Sequence, residues 1–205
     1  MPIDHRSIVE SIERLKLKGK PFEDGLSDKE IASVESRFGF TFPPELRFFL
    51  QTALPTSDYF PNWRSDSVER LQSWLDRPID GVLFDIERND FWHDDWESKP
   101  SELPAALETA RHHVEQMPKL IPIGDRIYLK CVPASPVSPG NPVFSINQTD
   151  ALHGGRDLCE FLNWFSRPDS AFDEDDESGD PLTALYDESY RVIPFWTDLV
   201  RLNNS

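Results

Sequence analysis

The hydrophobic period of this chain changes from helical to alternating, and the order of those periods constrains the fold more than any other feature. Ile8, Ile12 and Leu15 recur at helical spacing over residues 5–17 and predict an amphipathic first helix. A second is predicted from Ser27, which caps while Glu30 reaches back in a capping box and Ile31, Val34 and Phe38 line one face. Gly39 ends it at the position after the last turn, where a left-handed residue is common. Phe40-Thr41-Phe42 is a short extended piece. Pro43-Pro44 then open a third helix whose buried stripe is Leu46, Phe49 and Leu50, because proline in the first turn loses no hydrogen bond.

Beyond the third helix the periods mix. Residues 67–76 read as a helix with Val68, Leu71 and Leu75 inward, stopped by Pro78. After Gly81, Val82, Phe84 and Ile86 alternate with Leu83, Asp85 and Glu87, which predicts a strand with one apolar face. A helix over 104–117 turns Leu107, Ala110, Val114 and Met117 inward. Strands follow at 121–123 and 127–132, joined at Gly124-Asp125, and at 143–146. Leu158, Phe161, Leu162 and Phe165 mark a helix over 157–165. Two last helices, Pro181 to Tyr190 and Pro194 to Leu202, dock back through Leu185, Phe195 and Leu199.

This order lacks the regular strand–helix alternation of a doubly wound sheet. It predicts an α+β fold, a mixed and largely antiparallel sheet wrapped by helices. Residues 1–168 form a single domain, 169–180 an acidic mobile loop, and 181–205 the C-terminal helices docked on the domain.

Charge narrows the function. Asp and Glu number 37 against 21 Lys and Arg, for a net charge of −16. Phosphate backbones attract basic surfaces, so nucleic acid is not an expected partner. Two readings of the acidity stand: a basic protein partner, because opposite fields raise encounter rates and discourage wrong partners, or simply solubility. Seven acids and no base lie between Asp169 and Asp180; removing those seven charges from −16 still leaves −9, so that segment exaggerates the acidity without creating it. No apolar run approaches a membrane span, and Met1-Pro2-Ile3-Asp4 is followed by no signal-like apolar region. Cys131 and Cys159 lack metal spacing and read as buried thiols in a reducing compartment, the cytoplasm.

The sharpest local feature is Asp85 to Glu97, six acids interleaved with Phe91, Trp92 and Trp96. Aromatic anchors inside a charged rim are the material of interfaces. The same aromatics beside a strand also serve as core plugs. Trp92 and Trp96 stand four apart, the spacing that stacks two side chains on one face of a helical turn. The candidate protein-binding residues are Glu87, Asp90, Asp94, Asp95, Trp96 and Glu97, with Trp63 from the preceding loop and His153 from a glycine-flanked turn.

His93-Asp94-Asp95 has ligand types for a metal, but adjacent residues rarely converge on one ion and no second histidine stands at i+4. His112-His113 lies mid-helix, with one ring toward solvent and one toward packing. No metal, cofactor or catalytic constellation is read: there is no Gly-x-Ser-x-Gly, phosphate loop or dinucleotide fingerprint. Pro133, Pro136, Pro139 and Pro142 recur every three residues, as a polyproline edge or a stiff loop would.

Three pieces together resemble the SUKH superfamily, the Smi/Knr-like family of cell-wall assembly regulators, in its bacterial branch. One is Glu35 and Phe38 leading to Phe42-Pro43-Pro44-Glu45-Leu46-Arg47-Phe48-Phe49-Leu50. Another is Gly81-Val82-Leu83-Phe84-Asp85-Ile86-Glu87 with Asn89, Phe91, Trp92 and Trp96. The third is Leu120-Ile121-Pro122-Ile123, then Gly140 to Ile146, Gln148-Thr149-Asp150 and the helix ending at Phe165. The resemblance spans residues 27–165 and departs at Leu152-His153-Gly154-Gly155, where the branch has a tyrosine-rich turn. It implies a sheet wrapped by helices and an immunity protein that neutralises a cognate toxin, such as a basic nuclease, by direct binding. The other role it implies is a regulatory scaffold or adaptor with several partners.

Overall fold

Capping chemistry fixes the N-terminal helices where the sequence predicts them. In the computed structural model, which describes residues 4–131, 140–167 and 190–203, α1 spans His5–Leu17, α2 Asp28–Phe38 and α3 Pro44–Thr52. Ser27 Oγ accepts the Glu30 amide at 3.3 Å, and the Glu30 carboxylate accepts the Ser27 amide at 2.8 Å. Such a cap contributes about 1 kcal/mol. Gly39 closes α2 in the left-handed region at φ 66°.

Two short strands that the sequence reading did not anticipate, β1 (Phe22–Asp24) and β2 (Ala53–Pro55), pair antiparallel and tie the two ends of the α2–α3 unit together. Three residues each are too few for a visible alternation. Arg64 holds this corner, pairing with Glu30 at 2.6 Å and Glu23 at 3.2 Å.

The largest correction concerns residues 67–88. They form one helix, α4 (Val68–Arg88), which runs through Pro78 and Gly81 instead of stopping for a strand. Its buried residues are Leu71, Trp74, Leu75, Pro78, Val82, Asp85 and Ile86, an unbroken helical stripe, while Phe84 is 46 % exposed. The short run Val82 to Ile86 fits both periods, and only the longer stripe separates them. An interior proline costs about 3 kcal/mol, but each large apolar side chain fully buried returns roughly 1.5–3 kcal/mol. Five such side chains outweigh one proline.

Helix α5 covers Leu103–Glu115, with Ala106, Ala110 and Val114 buried and Leu107 only partly so. Four strands follow as an antiparallel meander: β3 (Leu120–Gly124), β4 (Ile127–Lys130), β5 (Val143–Asn147) and β6 (Asp150–Gly155). Strand β6 is a second correction, since its Leu152-His153-Gly154-Gly155 reads as a turn. Pairing with β5 from Asn147↔Asp150 to Val143↔Gly155 supplies what the glycines lack in strand propensity. Helices α6 (Leu158–Phe165) and α7 (Trp196–Leu202) complete the described chain, and every described ladder is antiparallel. The fold is α+β.

The four-stranded sheet is buried on both faces. Ile121, Ile123, Ile127, Leu129 and Val143 point into a core with α1, α2, α3, α6 and the first half of α4. Leu120, Tyr128, Phe144, Ile146 and Ala151 point into another with α5, α7 and the second half of α4. Pro78 sits where the α4 stripe passes from one core to the other. Phe195 and Leu199 bring α7 onto the sheet as the sequence predicts.

The acidic segment 169–180, most of the helix read at Pro181 to Tyr190, and Pro133, Pro136 and Pro139 lie outside the described residues. No helix among the described residues is long and apolar enough to cross a membrane.

Candidate functional site

The C-terminal end of α4 organises the surface where most candidate residues meet. Asp85, 4 % exposed, accepts from the Thr149 amide at 2.8 Å, the Thr149 hydroxyl at 2.6 Å and Asn89 Nδ2 at 2.6 Å. This clamps the β5–β6 turn against the helix. One turn earlier, a Cβ on Gly81 would lie 2.7 Å from the Gln148 Cα, so only glycine lets the turn approach. Asp90 then takes φ 55°, reversing the chain into loop 89–97, which is not helical.

That loop folds around its aromatics. Trp96 lies between the His113 ring of α5, 5.1 Å away and nearly parallel, and Phe195 before α7, at 5.8 Å. Trp92 and Phe91 meet Trp96 edge-on at 5.1 and 6.3 Å, and Trp92 Nε1 donates to the Glu97 carbonyl at 2.7 Å. The two tryptophans therefore touch across a turn instead of stacking on a helix face. All three aromatics are half-buried: they join the second core and retain an exposed edge.

The acids around them fall into two groups. Asp90 pairs with Lys99 at 2.5 Å and Glu97 with His113 at 2.5 Å; each partner holds its carboxyl below the ordinary range. Glu87, on the last turn of α4, pairs with its neighbour Arg88 at 3.1 Å. Asp94 and Asp95 are exposed and form no ion pair among the described residues.

Between the loop and α7 lie two open clefts that share Asp94 and Leu202. One of about 320 Å³ is lined by His93, Asp94, Asp95, Asp198, Arg201 and Leu202. The other, of about 350 Å³, has Phe91, Trp92, Leu199 and Leu202 as its apolar lining, with Asp90, Asp94, Thr149 and Asn203. The structure thus gathers Asp90, Asp94, Asp95, Trp96 and Glu97 in one loop, with Glu87 just before it on α4, and leaves the other two candidates elsewhere. Trp63 is 4 % exposed, edge-on to Phe42 at 5.3 Å and Phe40 at 5.9 Å in the first core. His153 is fully buried in β6, stacked on Tyr190 at 4.1 Å, and is not a turn residue at an open mouth. Neither offers a partner a surface.

Nothing in the sequence marks Asp198, Arg201 and Leu202 as site residues. Their arrival beside His93 is a tertiary event with no local signal. Cys131 and Cys159 are half-buried and form no disulfide; burial raises both thiols, that of Cys159 to about 12, so neither is a ready nucleophile. The chain matches no family model, and no curated protein and no solved structure matches it.

Proposed function

We propose that this chain is a protein-binding module whose partner is a basic protein, seated on loop 89–97 and α7. The observation that carries the reading is the pair Asp94–Asp95, two exposed carboxylates that form no ion pair among the described residues, beside a cleft with an apolar lining. Unpaired carboxylates attract a basic surface over a distance and steer it, and the half-buried aromatics supply apolar contact area once it arrives. The remaining acids of the loop already have partners and serve chiefly to hold its shape.

The complex neutralises a toxin, and the chain acts as its immunity protein in the cytoplasm, where Cys131 and Cys159 stay reduced. Support for this specific role comes from the resemblance to the SUKH superfamily and from the overall charge of −16. The role needs no catalysis by this chain, only complementarity.

The test is co-expression with the product of the adjacent gene, followed by binding measurements on Asp94→Asn/Asp95→Asn. Both residues are exposed, so the double variant retains its fold. The expected result is protection by the wild type, with the variant associating about tenfold more slowly at low salt and the difference shrinking in high salt. An unchanged association rate removes this face from the interface. Toxicity that persists in the presence of the wild type defeats the immunity role for that pair, and recovery of many unrelated partners points to the scaffold role.

A further inference from the structure

A ring nitrogen of His93 and carboxylate oxygens of Asp95 and Asp198 lie within 4.8 Å of one another. His93 and Asp95 come from the loop after α4 and Asp198 from α7, so the group exists only in the folded chain. We propose that these three side chains bind a divalent transition-metal ion of the zinc class and that the ion joins α7 to the loop.

His93 is the observation that separates this group from an ordinary acidic patch. The ring is 6 % exposed and lines the cleft, held between Trp96 at 5.7 Å and Phe195 at 5.3 Å. Only Nδ1 has a hydrogen-bond partner among the described residues, the Asp95 amide at 3.3 Å, which is long for such a bond. Nε2 has none, so it is open to a ligand in the cleft. An ion at Nε2 shifts the ring proton to Nδ1 and gives up that long contact.

Asp198 is already oriented. Its Oδ1 accepts from Arg201 at 2.9 Å and its Oδ2 from the Phe195 amide at 3.2 Å. A carboxylate oxygen has two lone pairs, so each keeps its donor and still faces an ion; ligating carboxylates are commonly held this way. The positive charge of Arg201 is met by Asp198 itself, its ion-pair partner at 2.9 Å. Zinc bonds of about 2.0–2.2 Å set ligand atoms roughly 3.3 Å apart in a tetrahedron, so the group closes slightly on binding. Asp95 is exposed and free to supply that movement. One nitrogen and two carboxylates favour zinc over magnesium, which prefers oxygen ligands and keeps its waters.

The site shares Asp95 with the toxin-binding reading but does not rest on it, and its test uses the full chain and the metal alone, with no toxin present. Zinc titrated into the wild type is expected to bind one to one by calorimetry and to raise the melting temperature, with magnesium giving neither effect. Asp95→Asn, at an exposed position, is expected to weaken zinc binding tenfold or more, while Asp94→Asn retains most of it. Equal zinc binding by Asp95→Asn and wild type overturns the proposal. So does the absence of stoichiometric binding by the wild type at millimolar zinc, or loss of binding in His112→Ala, which would move the ion to α5.

Discussion

Replacing Gly81 with alanine sets helix propensity directly against packing. Gly81 lies inside α4, where alanine is ordinarily favoured over glycine by about 1 kcal/mol. The new methyl, however, would meet Gln148 Cα at 2.7 Å and Gln148 N at 3.2 Å, both backbone atoms that cannot rotate away. The helix and the β5–β6 turn must separate by several tenths of an ångström. That separation stretches the two bonds from Thr149 to Asp85 across the same junction, at 2.6 and 2.8 Å. Overpacking of this kind costs about 1–3 kcal/mol, and a hydrogen bond to a charged acceptor contributes about 1.5–3 kcal/mol. Losing part of those bonds as well leaves Gly81→Ala about 1–3 kcal/mol less stable after the propensity gain. For a chain of this size that lowers the melting temperature by about 2–12 °C. Urea unfolding with an unchanged m-value measures it directly. A variant as stable as the wild type, or more so, refutes the close approach of the turn.

Two further outcomes follow from titration. Glu45 is buried on α3, and desolvation, then the Asp157 carboxylate, push its carboxyl above the ordinary value. Its ionised form is therefore disfavoured in the fold: stability is fullest below the ordinary carboxyl range and falls as pH rises through the raised value. Glu45→Gln is expected to exceed the wild type in melting temperature at pH 8 and to match it near pH 4; a pH-independent difference rules the cause out. Glu30 behaves oppositely, held at about 2 by hydrogen bonds from Arg64 and then from Ser27. Its contribution is present above the ordinary value and lost as pH falls toward 2. Glu30→Gln, which can still cap, is expected to be less stable than the wild type at pH 7 and equal to it near pH 2, with high salt narrowing the gap. Unfolding curves at pH 7, 4 and 2.5 decide this, and a constant gap counts against the Arg64 pairing.

The candidate face was legible in part. Trp96 and the acids from Asp90 to Glu97 attract attention in the sequence because aromatics and unbalanced charge sit together, and the fold keeps them in one loop. Trp63 drew the same attention as an aromatic in a proline-rich loop, yet a cluster of Phe38, Phe40 and Phe42 closes over it. Composition cannot distinguish an aromatic that anchors a partner from one that anchors the core. His153 differs from its sequence expectation for a related reason: its glycine neighbours suggest a turn, and only pairing with β5 makes them a strand.

What the sequence by itself determined was every element whose start and stop are written within a few residues. Ser27, Glu30 and Gly39 delimit α2, Pro44 opens α3, and Asp157 accepts the Glu160 amide at 2.9 Å to cap α6. Caps and short periods act over one turn, so no distant contact is needed to read them. Tertiary structure decided the continuation of α4 through Pro78 and Gly81, the pairing of β6, and the meeting of His93 and Asp95 with Asp198. In each case local preference was weak or adverse, and burial or pairing against a remote segment supplied the larger free energy.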